Sequence, residues 1–87
     1  MANYKLLFKK SVTKDLRAIP KKDVARILKR FQGLSDDPRA PGCERLSGGE
    51  RYRIRQGAYR IVYEIIDEEH VVSVVRIGHR RDVYKSR

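Results

Sequence analysis

Apolar residues recur along this chain with two distinct periods, and the change from one to the other outlines its elements. Between Lys21 and Leu34 they fall at Val24, Ile27, Leu28, Phe31 and Leu34, the i, i+3, i+4, i+7 spacing that gives a helix one apolar stripe. The spacing predicts a helix from about Lys21, ended by Gly33 and the Ser35-Asp36-Asp37-Pro38 cluster. A shorter run with helical spacing, Val12, Leu16 and Ile19, predicts a first helix capped by Ser11 and interrupted at Pro20. Beyond residue 50 the period becomes two. Strand side chains alternate between faces, so strands are predicted over Arg51 to Gln56, Tyr59 to Ile66 and His70 to Ile77, the last broken by Gly78. Tyr4 to Phe8 is a further short strand. Arg39 to Glu50 is an irregular loop marked by Pro41, Gly42, Gly48 and Gly49, and His79 to Arg87 a short polar tail.

The alternation also sorts the side chains by chemistry. Tyr52, Ile54, Tyr59, Ile61, Tyr63 and Ile65 share one face of the paired strands, and Arg53, Arg55, Arg60, Val62 and Glu64 share the other. A two-residue turn at Gly57-Ala58, for which Gly at the first position is favourable, sets Arg55 across from Arg60 and Arg53 across from Val62. Like charges directly opposed cost stability. Three guanidiniums on a face whose one internal counter-charge is Glu64 therefore point to a polyanion; an ordinary solvated sheet face is the plainer alternative. The order β-α-α-β-β-β predicts an α+β fold, a small antiparallel sheet with a two-helix hairpin packed on one face, the opposite face open and basic.

Composition narrows the partner. The chain has 87 residues, enough for a single domain over 1–87. Its 21 Lys and Arg against 11 Asp and Glu give a formal net charge of +10, which favours a phosphate-rich partner, or less often an anionic membrane surface. No run approaches the ~18 apolar residues of a membrane span, and the N-terminus lacks the apolar core of a signal peptide, so a cytoplasmic protein with no membrane partner is expected. Cys43 is the one cysteine, which excludes an internal disulfide, and one Cys with two distant His makes no recognisable metal site. No metal or cofactor is expected, and Cys43 reads as incidental. The outer face of the second helix carries Lys22, Arg26, Lys29 and Arg30, an ordinary soluble helix surface that also suits contacts to a phosphate backbone.

Three segments in order, KLLFKKSVTKDL, RLSGGERYRIRQGAYRIVYEI and VVRIGHRRDVY, resemble the RelE toxin family of the RelE/ParE toxin-antitoxin superfamily. The resemblance covers nearly the whole chain. It implies a microbial-ribonuclease-like sheet and a ribosome-dependent endoribonuclease that cuts messenger RNA in the vacant decoding site. It also implies a cognate acidic, RelB-like antitoxin through which the toxin-antitoxin complex binds its own operator DNA. By motif position the family's functional residues fall on Arg53, Arg55, Arg60, Arg80 and Tyr84. Arg60 and Arg80 are implied to stabilise a charged phosphorane, Arg53 to orient the backbone, and Tyr84 to stack on a base or orient the attacking hydroxyl. Arg81 joins the helix-face cations as an expected RNA or ribosome contact.

Metal-free cleavage by a ribose 2′-hydroxyl needs a base, cations around the extra negative charge and an acid for the leaving oxygen. The sequence offers no evident Glu/His pair for this. Relatives carry Lys at the positions of Arg53 and Arg55, the second being a favoured base; arginine does not deprotonate, so Arg55 reads as an electrostatic clamp. His79 is the one side chain near the expected site with an ordinary pKa near neutrality. It is a candidate base or acid, or simply a surface histidine. His70, beside Asp67-Glu68-Glu69, reads as structural. Two alternatives stand beside the ribonuclease: a ParE-like DNA gyrase inhibitor, which shares the fold but generally lacks this basic set, and a non-catalytic RNA- or ribosome-binding module.

Overall fold

The computed structural model describes residues 3–46 and 49–79. Its elements are β1 (Lys5–Phe8), α1 (Lys10–Arg17), α2 (Lys21–Asp36), β2 (Glu44–Arg45), β3 (Arg51–Gln56), β4 (Tyr59–Ile66) and β5 (Val71–His79), with a 3-10 turn at Asp67–Glu69. The period-two segment forms the expected meander: β3, β4 and β5 pair antiparallel in sequence. The strand order is β1-β5-β4-β3-β2. The α+β class and the helix pair on one face hold. The sheet is mixed, since β1 runs parallel to β5, a pairing that needs the long crossover supplied by everything between them.

One face of the sheet and the two helices enclose the core. Ile54, Ile61, Tyr63, Ile65, Val72, Val74 and Ile77 meet Val12, Ile19, Ile27, Phe31 and Leu34, all buried. Leu28 departs from the expected stripe and is 46% exposed. One residue advances a helix by ~100°, which puts Leu28 beside the Ile27-Phe31-Leu34 line at the rim. Gly33 does not end α2; the helix runs on to Asp36, and the Asp37 N–H donates to the Gly33 carbonyl at 2.9 Å.

Ser11 does not cap α1. The cap position is Lys9, with no side-chain cap bond, and Ser11 Oγ donates instead to the Val75 carbonyl at 2.9 Å. The pairing of β4 with β5 shows why. Val62 is opposite Arg76 while Tyr63 is opposite Val74, so Val75 is the extra residue of a β-bulge. The β1 pairing has already ended at Val74. Beyond it α1 takes over the edge, with Ser11 on Val75 and Asp15 Oδ2 accepting the Ile77 N–H at 3.0 Å. β5 runs on through Gly78, where the sequence suggested a break, to His79, because β4 pairs with it there, Arg60 opposite Gly78 and Tyr59 opposite His79.

Candidate functional site

Alternation along β3 and β4 delivers the arginines as expected: Arg53 pairs with Val62 and Arg55 with Arg60, around a hairpin whose Gly57 sits at φ 61°. The face they share is not uniformly open. Arg60 is 9% exposed and Val62 and Ser73 8%; Val62 lies between Arg53 and Arg76 in the register, where long aliphatic stems cover a small apolar side chain. Nor is Glu64 the one counter-charge. It pairs with Arg51 at 2.9 Å, and a second carboxylate, Glu44 on β2, binds Arg53 through Oε1 at 2.6 Å.

Glu44 comes to that place because β2 adds antiparallel to β3 with Glu44 opposite Arg53. The preceding turn uses Gly42 at φ 93°, a conformation that side-chain-bearing residues adopt rarely. Gly42, Cys43, Glu44, Arg53, Arg55 and Arg60 together line a cavity of about 450 Å³. Arg53, by hydrogen bond and then by charge, holds the Glu44 carboxyl below the ordinary carboxylate range, with Arg60 and Arg55 adding to the effect. Glu44 is therefore an anion at neutral pH. The low accessibility of Arg60 makes its charge count for more than it would in water.

The loop that carries Glu44 is anchored from behind. The Tyr63 hydroxyl, on a fully buried ring, donates to the Pro38 carbonyl at 2.7 Å; burial, and then Cys43, push its pKa up. Arg39 binds Asp67 in bidentate fashion at 3.2 and 2.8 Å, donates to the Tyr52 hydroxyl at 3.3 Å, and lies 5.5 Å over the Tyr52 ring. Tyr52 in turn stacks on Tyr63 at 5.9 Å. The Arg39 hydrogen bond, and then that of the Tyr4 hydroxyl, pull the Asp67 carboxyl down to about 2. His70 is structural in this frame: it takes the left-handed conformation at φ 57° and stacks on Tyr4 at 4.2 Å.

The remaining expected residues are dispersed. His79 pairs with Tyr59 and meets its ring edge-on at 5.9 Å, so it leaves the sheet on the helix side, away from Arg53, Arg55 and Arg60. On α2, Lys22, Arg26 and Lys29 are exposed, while Arg30 donates through Nε to Gln56 Oε1 at 2.9 Å. Arg80, Arg81 and Tyr84 lie outside the described residues. Among the described residues no cluster of His, Cys, Asp or Glu suits a metal ion, and no helix is long and apolar enough to cross a membrane. Sequence reasoning missed Glu44 and Cys43 as cavity residues. A two-residue strand has no period to read, and the one signal was the charge complementarity of Glu44 to Arg53.

The family model for the ParE toxin of the type II toxin-antitoxin system parDE matches residues 6–84. The chain is similar to Toxin RelG of Mycobacterium tuberculosis, 31% identical over 86 residues that span 94% of this chain and 97% of that protein. Among solved structures it resembles a chain of the toxin-antitoxin complex RelBE2 of M. tuberculosis, with a TM-score of 0.80, 28% identity, and coverage of 90% of this chain and 99% of that one. It is also similar to a chain of the intact Escherichia coli RelBE complex, with a TM-score of 0.78, 27% identity, and coverage of 87% and 95%.

Proposed function

Because this chain belongs to the ParE toxin family of type II toxin-antitoxin systems and is a toxin of the RelE type, we propose that it is a metal-independent endoribonuclease cutting messenger RNA on the ribosome. The observation that carries this reading is the cavity in which Arg53, Arg55 and Arg60 surround one carboxylate, Glu44. The ribose 2′-hydroxyl gives its proton to the Glu44 carboxylate and attacks the adjacent phosphorus. Arg60 and Arg53 take up the charge that grows on the phosphorane oxygens, which is where preorganised cations lower a barrier most. The bond to the 5′-oxygen breaks, that oxygen takes a proton from water, and Glu44 gives its own proton back to solvent. The products are a 2′,3′-cyclic phosphate and a 5′-hydroxyl. Arg80 and Tyr84 keep the roles that their motif positions imply, a second phosphorane cation and a base-stacking or hydroxyl-orienting ring.

An arginine-bound carboxylate with a lowered pKa is a weak base. The rate must then come from position and charge, and the ribosome supplies the position by holding the message in attack geometry. This is the physical reason to expect little cleavage of free RNA, and a ribosome-directed role places the protein in the cytoplasm. The relatives solved as RelBE complexes support a RelB-like antitoxin as partner. An acidic segment folding onto this surface answers a net charge of +10, and the complex reaches its operator DNA through the antitoxin. A cavity lined by three arginines favours an RNA phosphate ligand over the gyrase-inhibitor alternative.

Glu44→Gln tests the assignment, because the two outcomes move in opposite directions. Removing one negative charge strengthens RNA binding, whereas losing a base lowers the single-turnover rate on ribosomes by about 10²–10⁴-fold. A variant that cuts at the normal rate would place the base elsewhere. A wild-type protein that binds ribosomes and never cuts would leave the non-catalytic module.

A further inference from the structure

We propose that the pocket between the end of α1 and the edge of β5 reads one base of the bound RNA and selects guanine through Asp15; the inference rests on the RNA-directed function above and adds a specificity-determining residue to it. The pocket, about 260 Å³, has room for a single base, and its lining includes Asp15, Ala18, Tyr59, Arg76, Gly78 and His79. β1 stops pairing with β5 at Val74, so no strand closes the edge beyond it. Residues of both sheet faces, Arg76 and Gly78 on one and His79 on the other, therefore reach the same hollow. His79, which does not join the arginines, has its place here.

The register joins this pocket to the cleavage cavity. Arg55, Arg60 and Gly78 form one row across β3, β4 and β5; the first two line the cavity and the third lines the pocket. Paired Cα atoms in an antiparallel ladder are about 5 Å apart, so a single nucleotide spans from a phosphate at Arg60 to a base in the pocket. Gly78 puts no side chain in that path. Glycine inside a strand weakens it and often marks a close approach by a ligand, and the backbone does not ask for one here, since the φ of Gly78 is not positive. Arg76, two residues earlier on the same face, supplies a cation for the phosphate that carries the base.

The lining also selects the ligand. Asp15 is the one carboxylate among the described residues that line it, and it is half-buried and fixed, with Oδ2 accepting the Ile77 N–H at 3.0 Å. A carboxylate has lone pairs for several donors, so one backbone bond orients it without exhausting it. Its charge repels phosphate, which leaves the pocket to a base. Guanine offers an N1–H and an N2–H side by side, the pair of donors a carboxylate accepts best. Uracil offers one N–H between two carbonyl oxygens, and adenine and cytosine set their amine beside a ring nitrogen that is itself an acceptor. Tyr59 and His79 meet edge-on at 5.9 Å with their planes 82° apart. In such a pair one ring keeps its faces clear of the other, and that ring is a platform for an unpaired base.

The test is binding of short 2′-O-methyl oligouridines whose central position is G, A, C or U, followed by fluorescence anisotropy. Wild type should bind the G oligomer about tenfold more tightly than the U oligomer, the scale of one good bidentate base contact. Asp15→Asn keeps an amide oxygen for the Ile77 N–H, so the urea midpoint should stay close to wild type. Its preference for G over U should fall to about twofold or less, with the U oligomer bound no more weakly, since a negative charge has gone. Gly78→Val leaves the charge unchanged, suits a strand and obstructs the path; it should weaken the G oligomer several-fold and the U oligomer less. Wild type also gives a readout that needs no variant: the amide NMR signals of Ile77, Gly78 and His79 should shift more with the G oligomer than with the U oligomer. Equal wild-type affinity for all four oligomers, a preference that survives Asp15→Asn, equal losses for all four in either variant, or amide shifts indifferent to the base would overturn the proposal. Because the probes have no 2′-hydroxyl, failure of the cleavage reading leaves this result standing, and failure here leaves cleavage untouched.

Discussion

Replacing Tyr63 by Phe removes one oxygen from the middle of the protein and tests how the fold holds the site. The ring is 0% exposed and its hydroxyl donates to the Pro38 carbonyl at 2.7 Å. Phenylalanine keeps the core packing and the stack on Tyr52, so the change isolates the hydrogen bond. The buried Pro38 carbonyl loses its donor, at a cost of about 1–3 kcal/mol. A loss of ~1.5 kcal/mol, at ~4–8 °C per kcal/mol for a domain of this size, lowers Tm by roughly 6–12 °C. Urea unfolding at pH 7 should show a lower midpoint with an unchanged slope, the mark of altered stability without altered compactness. Pro38 opens the loop that ends at Glu44, so ribosome-bound cleavage should drop by more than the unfolded fraction accounts for. A midpoint equal to wild type would refute the claim that this hydroxyl anchors the cavity wall.

Arg60→Ala should lower the single-turnover rate by about 10²-fold or more with a much smaller change in ribosome affinity, because its charge is needed in the transition state; a normal bound rate would put the site in the wrong place. Asp67, with a folded pKa of about 2 against an ordinary 3.8, contributes stability that is present above pH 3.8 and lost as pH falls toward 2. The Tm gap between wild type and Asp67→Asn should therefore close across that window, and a gap that stays constant would contradict the Arg39 and Tyr4 bonds as its source. Binding of wild type to RNA should weaken steeply with salt by counterion release, and an affinity indifferent to salt would exclude an electrostatic footprint of this size.

What was legible in the sequence followed from periodicity. β3 and β4 begin and end where alternation begins and ends, and the Gly57-Ala58 turn fixed the register that sets Arg55 against Arg60. The misplaced features are those that long-range pairing decides. Ser11 has the chemistry of a cap, but the bulge at Val75 offers its hydroxyl a carbonyl on β5. The same bulge decides His79. Without it, Val72 and Val74 in the core would put Arg76 and Gly78 on the helix side; the extra residue shifts the alternation by one, so Ile77 and His79 take that side instead. Motif adjacency to Arg80 suggested a neighbour of the arginines, and the register places the ring against Tyr59. Glu44 stayed hidden because its strand is two residues long, and only the fold shows that the loop supplies the carboxylate the arginines lack.

The central claim is that this protein cuts ribosome-bound message by 2′-hydroxyl attack, and the chemistry of the cut ends tests it most directly. Purified protein is added to programmed ribosomes and to the same message free in solution, cut sites are mapped by primer extension, and both new termini are identified. The account predicts cuts in the ribosome-bound message, few in the free one, and termini carrying a 2′,3′-cyclic phosphate and a 5′-hydroxyl. A 3′-hydroxyl paired with a 5′-phosphate, equal cutting of free RNA, or no cutting at all would contradict it.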